Sequence, residues 1–390
     1  MKKVRMGMVG GGPGAFIGGV HRMAANLDGK IELVCGAFSR DAEKSRLMSQ
    51  ELNLCPSRCY DSYQQLFEQE ASLPADQRME FVSIVTPNHL HFEIARLALE
   101  SGFHVLCDKP ATLTLDEARE LAVVQKRSGR LYALTHTYTG YPMVVAAREL
   151  VARGELGAIR KVAVEYHQGW LADTNAESGK QAAWRLNPEQ AGISCCMADI
   201  GVHAANLAEF ICNDGIDQLS ADLNASHNRQ LDDDGVVMLR FASGARGMLS
   251  ASQIAVGEEN NLRIRVYGEK ASIDWSQEQP NSLKLMHADK PFEVLRSATD
   301  AAAELGGITR TPPGHPEGYL EAFANLYQQF AEQVAALRQQ STSGNNPLPG
   351  INEALRGMAF IETVVAASAS EQKWHTMPDL TNIPNTGDSL

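Results

Sequence analysis

The stretch Val4-Arg5-Met6-Gly7-Met8-Val9-Gly10-Gly11-Gly12-Pro13-Gly14-Ala15-Phe16-Ile17-Gly18 decides how the first third of the chain is read. An apolar run, Val4–Val9, stops at a cluster of glycines, and a helical stretch follows near His21–Leu27. Glycine lets the backbone turn sharply and approach a pyrophosphate, and a helix N-terminus offers N–H groups and a partial positive charge. Gly10, Gly12, Gly14 and Gly18 are therefore the candidate phosphate-loop residues. The third position of the G-x-G-x-x-G pattern falls on Ala15 or, across an insertion, on Gly18. The apolar run behind Met1-Lys2-Lys3 is too short for a secretory signal and reads as a first strand.

Working outward, Ile31–Phe38, Phe81–Thr86, His104–Cys107 and Leu131–Thr135 read as strands, and Ala42–Leu52, His91–Ser101 and Leu115–Arg127 as helices. Strands alternating with helices predict a parallel, doubly wound α/β dinucleotide-binding domain over residues 1–135. After Thr135 the rhythm changes. Tyr141–Arg153 reads as a helix, and Arg160–Gln168, Gln218–Ser226, Val236–Phe241, Ala245–Ile254, Leu262–Tyr267 and Ala271–Trp275 as strands. Consecutive strands with short turns predict an antiparallel or mixed sheet, hence an α+β second domain over 136–370. Helices return at Gly318–Gln340 and Asn352–Ser368, residues 339–349 read as a loop, and 371–390 as a C-terminal tail.

A chain of 390 residues is long enough for two cores. A formal net charge of -12 argues against nucleic acid or an anionic membrane as partner. No apolar run reaches the roughly 18 residues that span a bilayer. Seven cysteines with no paired C-x-x-C units are expected to be reduced thiols in a cytoplasmic protein. His89 and His91 form an H-x-H pair with no further ligand cluster, so no metal is expected.

The candidate chemistry lies at strand ends. Ser39-Arg40 occupies the tip of the second strand, where serine and arginine suit a 2′-phosphate, and Asp41 comes late for a ribose hydroxyl. The expected cofactor is NAD(P), leaning to NADP. Thr86-Pro87-Asn88, with His91, follows the third strand and Asp108-Lys109-Pro110 the fourth, at the carboxyl edge where open α/β sheets bind ligands. A later cluster, Gly192 to His203, places Asp199 and His203 four apart, on one face if helical.

Together these clusters resemble the Gfo/Idh/MocA family of oxidoreductases, which includes inositol and sugar dehydrogenases. The resemblance runs from about Lys3 to about Ser368. It rests on the glycine loop with trailing His21, Thr86-Pro87-Asn88 with His91, Gly102-x-His104-Val105-x-Cys107-Asp108-Lys109-Pro110, and Asp199-x-Gly201-x-His203. It implies a Rossmann domain followed by an α+β domain with a large open-faced mixed sheet, through which members often form dimers or tetramers. It also implies hydride transfer between a nicotinamide and a hydroxyl or carbonyl of a sugar, inositol or related polyol. Lys109, Asp199 and His203 would then be catalytic. His203 would be general base in oxidation and acid in reduction, Asp199 would orient the substrate hydroxyl or the imidazole, and Lys109 would stabilise developing alkoxide charge. The cofactor would meet Gly10, Gly12, Gly14, Gly18, Ser39, Arg40, Thr86, Pro87, Asn88, His91, Asp108 and Lys109. A polyol pocket is expected from His136, Tyr138, Gln168, Trp184, Arg185 and His203, with His315 reaching in from a loop.

Three positions depart from the family pattern. Asp108 replaces the usual Glu, the glycine loop looks about three residues longer before Gly18, and Asn206 stands where an Asp is frequent. Two other readings belong to the same framework: a nicotinamide-dependent glycoside hydrolase that oxidises its substrate transiently, and a non-catalytic nicotinamide-binding regulator.

Overall fold

The computed structural model describes residues 2–173, 184–341 and 348–380. The end of the expected tail and most of the expected 339–349 loop lie outside them. Contacts divide the chain into two compact units: Met1–Thr135 with Phe323–Leu355, and His136–Ala322 with Arg356–Asp379.

The first unit is a five-stranded parallel sheet in the order β2-β1-β3-β4-β5, formed by β1 (Val4–Gly10), β2 (Ile31–Ala37), β3 (Phe81–Val85), β4 (His104–Cys107) and β5 (Tyr132–Leu134). β3, β4 and β5 are buried along their whole length, as strands covered on both faces must be. Thr114 and Glu117 close a capping box at the start of the helix Leu115–Ser128, and Gly129 ends it in the left-handed conformation. The expected boundaries did not foresee the return of Phe323–Leu355 to this unit. Its reason is packing. Phe330 meets Phe81 of β3 edge-on at 5.2 Å, and the Tyr327 hydroxyl bonds Ser83 Oγ at 2.8 Å. The helix Tyr63–Ser72 was also not expected, because one of its buried positions is a glutamate. Glu70 is held there by Arg58, Tyr60 and the Met79 N–H.

The second unit carries a nine-stranded sheet in the order β13-β12-β11-β10-β6-β9-β8-β7-β14. Its strands are β6 (Ile159–His167), β7 (Ile216–Asn224), β8 (Asp234–Phe241), β9 (Arg246–Ser252), β10 (Asn261–Gly268), β11 (Ala271–Ser276), β12 (Ser282–His287), β13 (Glu293–Arg296) and β14 (His375–Thr376). All neighbours are antiparallel except β6 and β9, so the sheet is mixed. Burial alternates along β8 and β10. The inward side chains pack under the helices Pro142–Ala152 and Val202–Cys212, while Val236, Met238 and Met248 are exposed at 46%, 45% and 37%. β12, β13 and β14 were not expected. β14 pairs with β7 and brings part of the supposed tail into the sheet. Among the described residues no helix is long and apolar enough to cross a membrane.

Candidate functional site

In the first unit, β1 turns through Gly10–Gly14 into the helix Phe16–Leu27. A Cβ at Gly12 would lie 2.7 Å from the Phe38 carbonyl oxygen just past β2, and one at Gly18 would lie 2.4 Å from the Gly11 Cα. Both positions require glycine because backbone approaches backbone. The helix begins at Phe16, so Gly18 acts from inside its first turn, and the apparent lengthening before Gly18 is helix rather than loop. Ala15, at the N-cap, has no side-chain acceptor for the first-turn N–H groups. At the end of β3, Thr86 Oγ1 is buried without a hydrogen-bond partner. A close glycine cradle, an uncapped helix start and an orphaned hydroxyl along one carboxyl edge fit a dinucleotide.

At the tip past β2, Asp41 is committed to the helix Ala42–Glu51. Its carboxylate accepts from the N–H groups of Glu43 and Lys44 at 3.0 and 3.3 Å, and its own N–H donates to Ser39 Oγ at 3.1 Å. Arg40 is exposed beside it. Burial lowers the His89 pKa, and the charge of Arg40 adds to the effect.

The Lys109–Pro110 segment is braced from several sides. Asp108 Oδ1 accepts from the Lys109 N–H at 2.8 Å and from Thr135 Oγ1 at 2.9 Å. Asp108 Oδ2 is 3.9 Å from His21 Nε2. His21 is fully buried and its Nδ1 lies 2.8 Å from the Tyr327 hydroxyl. Burial pushes the His21 pKa down to about 4, against the pull of Asp108, so the ring is neutral near pH 7. His91, expected to touch the cofactor, is buried with Nδ1 2.7 Å from the Pro110 carbonyl and Nε2 2.8 Å from the Thr86 carbonyl. Its ring nitrogens tie two strand-end loops together. Ser83 and Tyr327 were not anticipated, and nothing in the motif spacing points to Tyr327, which is 306 residues from His21.

In the second unit, Asp199 lies in a π-helical turn, Met197–Gly201, that leads into the helix Val202–Cys212 carrying His203. Asp232 caps this segment, accepting from the Cys195 and Met197 N–H groups at 2.9 Å each. Asp199 Oδ2 accepts from Arg185 Nε at 3.2 Å and from Gln253 Nε2 at 3.0 Å. Arg185 stacks over the Trp184 ring at 4.4 Å. Gln253, fully buried just past β9, also receives the Cys195 thiol at 3.3 Å. It was missed, because a glutamine past the end of a strand carries no distinguishing signal in the sequence.

His203 is buried against aromatic rings. His136 and Tyr138 meet it edge-on at centroid distances of 5.3 and 4.9 Å, and Tyr166 lies at 6.4 Å. The Nδ1 atoms of His136 and His203 are 3.4 Å apart. The Tyr138 and Tyr166 hydroxyls bond each other. Asn260 joins them: its Oδ1 accepts from Tyr166 and from Gln168 Nε2 at 2.7 and 2.8 Å, and its Nδ2 donates to Tyr138 at 3.2 Å. Tyr138 and Gln168, expected as ligand contacts, are thus tied through Asn260, and Tyr138 forms a wall. Burial raises the phenol pKa of Tyr138 above its ordinary value. His315 is exposed, with Nδ1 3.3 Å from the Pro312 carbonyl. All seven cysteines are free. Among the described residues no group of three or more His, Cys, Asp or Glu is arranged to hold a metal ion.

A parallel sheet with a glycine cradle at its carboxyl edge, followed by a large mixed sheet and an Asp/His pair, defines a two-domain, NAD-binding oxidoreductase. Residues 4–136 match the oxidoreductase family with NAD-binding Rossmann fold, and residues 144–274 match the GFO/IDH/MocA C-terminal domain. The chain belongs to the Gfo/Idh/MocA family. It is 32% identical to the uncharacterized oxidoreductase YfiI of Bacillus subtilis over 387 residues, covering 96% of each chain. It is 26% identical to the levoglucosan dehydrogenase of Pseudarthrobacter phenanthrenivorans over 345 residues, covering 79% of this chain and 83% of that one. An inositol dehydrogenase homologue from Azotobacter vinelandii, solved with NADH and myo-inositol, superposes with a TM-score of 0.89 at 32% identity, over 96% of this chain and 98% of that one.

Proposed function

We propose that this protein is an NAD(P)-dependent dehydrogenase acting on a CH–OH group of a sugar, inositol or related polyol. The observation that carries this reading is Asp199 and His203 on successive turns, Asp199 fixed by Arg185 and Gln253 and His203 walled by Tyr138 and Tyr166. Such a site holds a hydroxyl and takes its proton. Bound at the glycine cradle, a nicotinamide dinucleotide supplies or accepts the hydride. His203 takes the hydroxyl proton in oxidation and returns it in reduction. Asp199 accepts a hydrogen bond from the substrate and fixes its orientation. The ammonium of Lys109 stabilises negative charge on the reacting oxygen. His136, Gln168, Trp184 and Arg185 belong to the substrate side in this reading, with His91 and Asp108 bracing the cofactor side.

The cofactor is NADP in preference to NAD. Capping occupies Asp41, leaving Arg40 as the charged group beside Ser39 that can meet a 2′-phosphate. The protein works in the cytoplasm, where its free cysteines stay reduced. It forms a homo-oligomer through the open face of the nine-stranded sheet, where Met238 of β8 pairs with Met248 of β9 and both are exposed.

The test is a panel of sugars and polyols, including myo-inositol and levoglucosan, offered with NAD and NADP while reduced-cofactor absorbance is followed. At least one compound is turned over, and Lys109→Ala lowers kcat by about a thousandfold with cofactor affinity within a few fold. No turnover across the panel, sugar release without net cofactor reduction, or full activity in Lys109→Ala would each overturn the reading.

A further inference from the structure

We propose that His136 is a positioning residue that sets the tautomer of His203. This rests on His203 as the general base of the proposed reaction. The two rings are buried, nearly perpendicular at 85°, and meet through their Nδ1 atoms at 3.4 Å. In a hydrogen bond between them one nitrogen carries the proton and the other accepts it.

Chemistry decides which. In oxidation the substrate O–H bond breaks, its proton goes to a bare nitrogen of His203, and the oxygen's electron pair forms the C=O bond. The carbon-bound hydrogen leaves with two electrons as hydride to an oxidised nicotinamide. With Nδ1 turned to His136, the bare nitrogen has to be Nε2, so neutral His203 carries its proton on Nδ1. After proton transfer His203 is an imidazolium and both of its nitrogens donate. His136 Nδ1 must then accept. If His136 accepts throughout, from a ring protonated on Nε2, one arrangement serves both states and no proton on His136 has to move. The opposite arrangement, in which His136 donates, leaves Nε2–H on neutral His203 and gives it no lone pair for the substrate. The orienting role of a carboxylate in a nucleophilic triad is here filled by a neutral imidazole. Tyr138 and Tyr166, tied by Asn260, hold the His203 ring against its partner.

The test reads the tautomer directly and needs no substrate. The full chain is prepared with isotope-labelled histidine, and heteronuclear spectra that separate protonated from bare ring nitrogens are recorded. The His203 signals are assigned by their loss in His203→Gln. The expected result is Nδ1–H with bare Nε2 in the native protein, and a shift to Nε2–H in His136→Leu. His136→Asn, whose Oδ1 accepts in the place of Nδ1, keeps the native tautomer. On the panel compound turned over fastest, His136→Leu lowers kcat about a hundredfold with KM within a few fold, and His136→Asn recovers most of it. Native His203 protonated at Nε2, or a tautomer indifferent to His136→Leu, overturns the proposal. If His136→Leu does not fold, the native tautomer and that of His136→Asn decide. If no compound is turned over, the proposed reaction fails while the tautomer still answers for His136.

Discussion

The glycine cradle of the first unit and the Asp199–His203 site of the second are built by opposite means. In the cradle the backbone sets the geometry. Gly10, Gly12 and Gly18 lie close together in sequence, and their identities follow from where one main chain approaches another. In the second site side chains set the geometry, and residues distant in sequence hold them. Gln253 reaches Asp199 across 54 residues, His136 reaches His203 across 67, and Asp232 caps the turn from 37 and 35 residues away. A backbone site is therefore sensitive to its own residues and a side-chain site to its remote supports. Four changes test that contrast.

The largest effect is expected at Asp232. Its carboxylate is buried, which raises its pKa, and the two N–H groups it receives belong to the segment that presents Asp199. Asp232→Ala leaves both donors buried without an acceptor. At roughly 1–3 kcal/mol for each, the loss should be about 4 kcal/mol by urea denaturation of the second unit. A loss below about 1 kcal/mol would show that the turn holds itself and would remove the contrast.

The first unit has a remote support that pH exposes. His21 stays neutral when folded down to about pH 4, while an unfolded histidine protonates near 6.5. The stability tied to His21 is fully present above pH 6.5. It declines as pH falls from 6.5 to 4, because only the unfolded chain takes up the proton, and it levels off below 4. The decline attributable to His21 is about 3 kcal/mol. His21→Asn should flatten that part of the pH dependence, measured by denaturant titration at several pH values. His104, also buried and lowered to about 4, leaves a parallel slope in both proteins.

Third, Gln253→Leu removes one of the donors that hold Asp199 and leaves the Cys195 thiol without its acceptor. The kcat on the best panel substrate should fall about thirtyfold, near 2 kcal/mol, with cofactor affinity unchanged. Cofactor binding that weakens in step with kcat would mean that the second site is not supported separately.

The same contrast explains what the sequence disclosed. The parallel sheet was legible because β3, β4 and β5 are short apolar runs between helical periods, and the glycine cradle because its geometry leaves a compositional mark. Asp199 and His203 were legible as a spaced pair. Their partners were not, since hydrogen bonds across a sheet leave no periodicity in the chain. Gln253, Asn260 and Tyr327 each look like an ordinary residue of a strand end, a loop or an amphipathic helix. Glu70 went further and hid its helix, because a buried carboxylate paired with Arg58 reads as a solvent-facing position. The cap of Asp232 lies within Asp232-Asp233-Asp234, a run that reads as surface charge although the first two residues are buried.

The smallest effect is expected at Arg40, an exposed guanidinium at the tip past β2. The N–H groups of Glu43 and Lys44 both engage Oδ1 of Asp41, and in the proposed reading Arg40 is the group that meets a 2′-phosphate. Arg40 is exposed, and its attraction for phosphate is screened by water and salt. Arg40→Ala should therefore weaken NADP about tenfold, near 1.4 kcal/mol, and leave NAD within twofold by titration of cofactor fluorescence. The NADP difference should shrink as salt is raised, as an exposed ion pair requires. Equal loss of both cofactors would instead assign Arg40 to the fold of the tip. It would make this contact as dependent on local backbone as the glycines beside it.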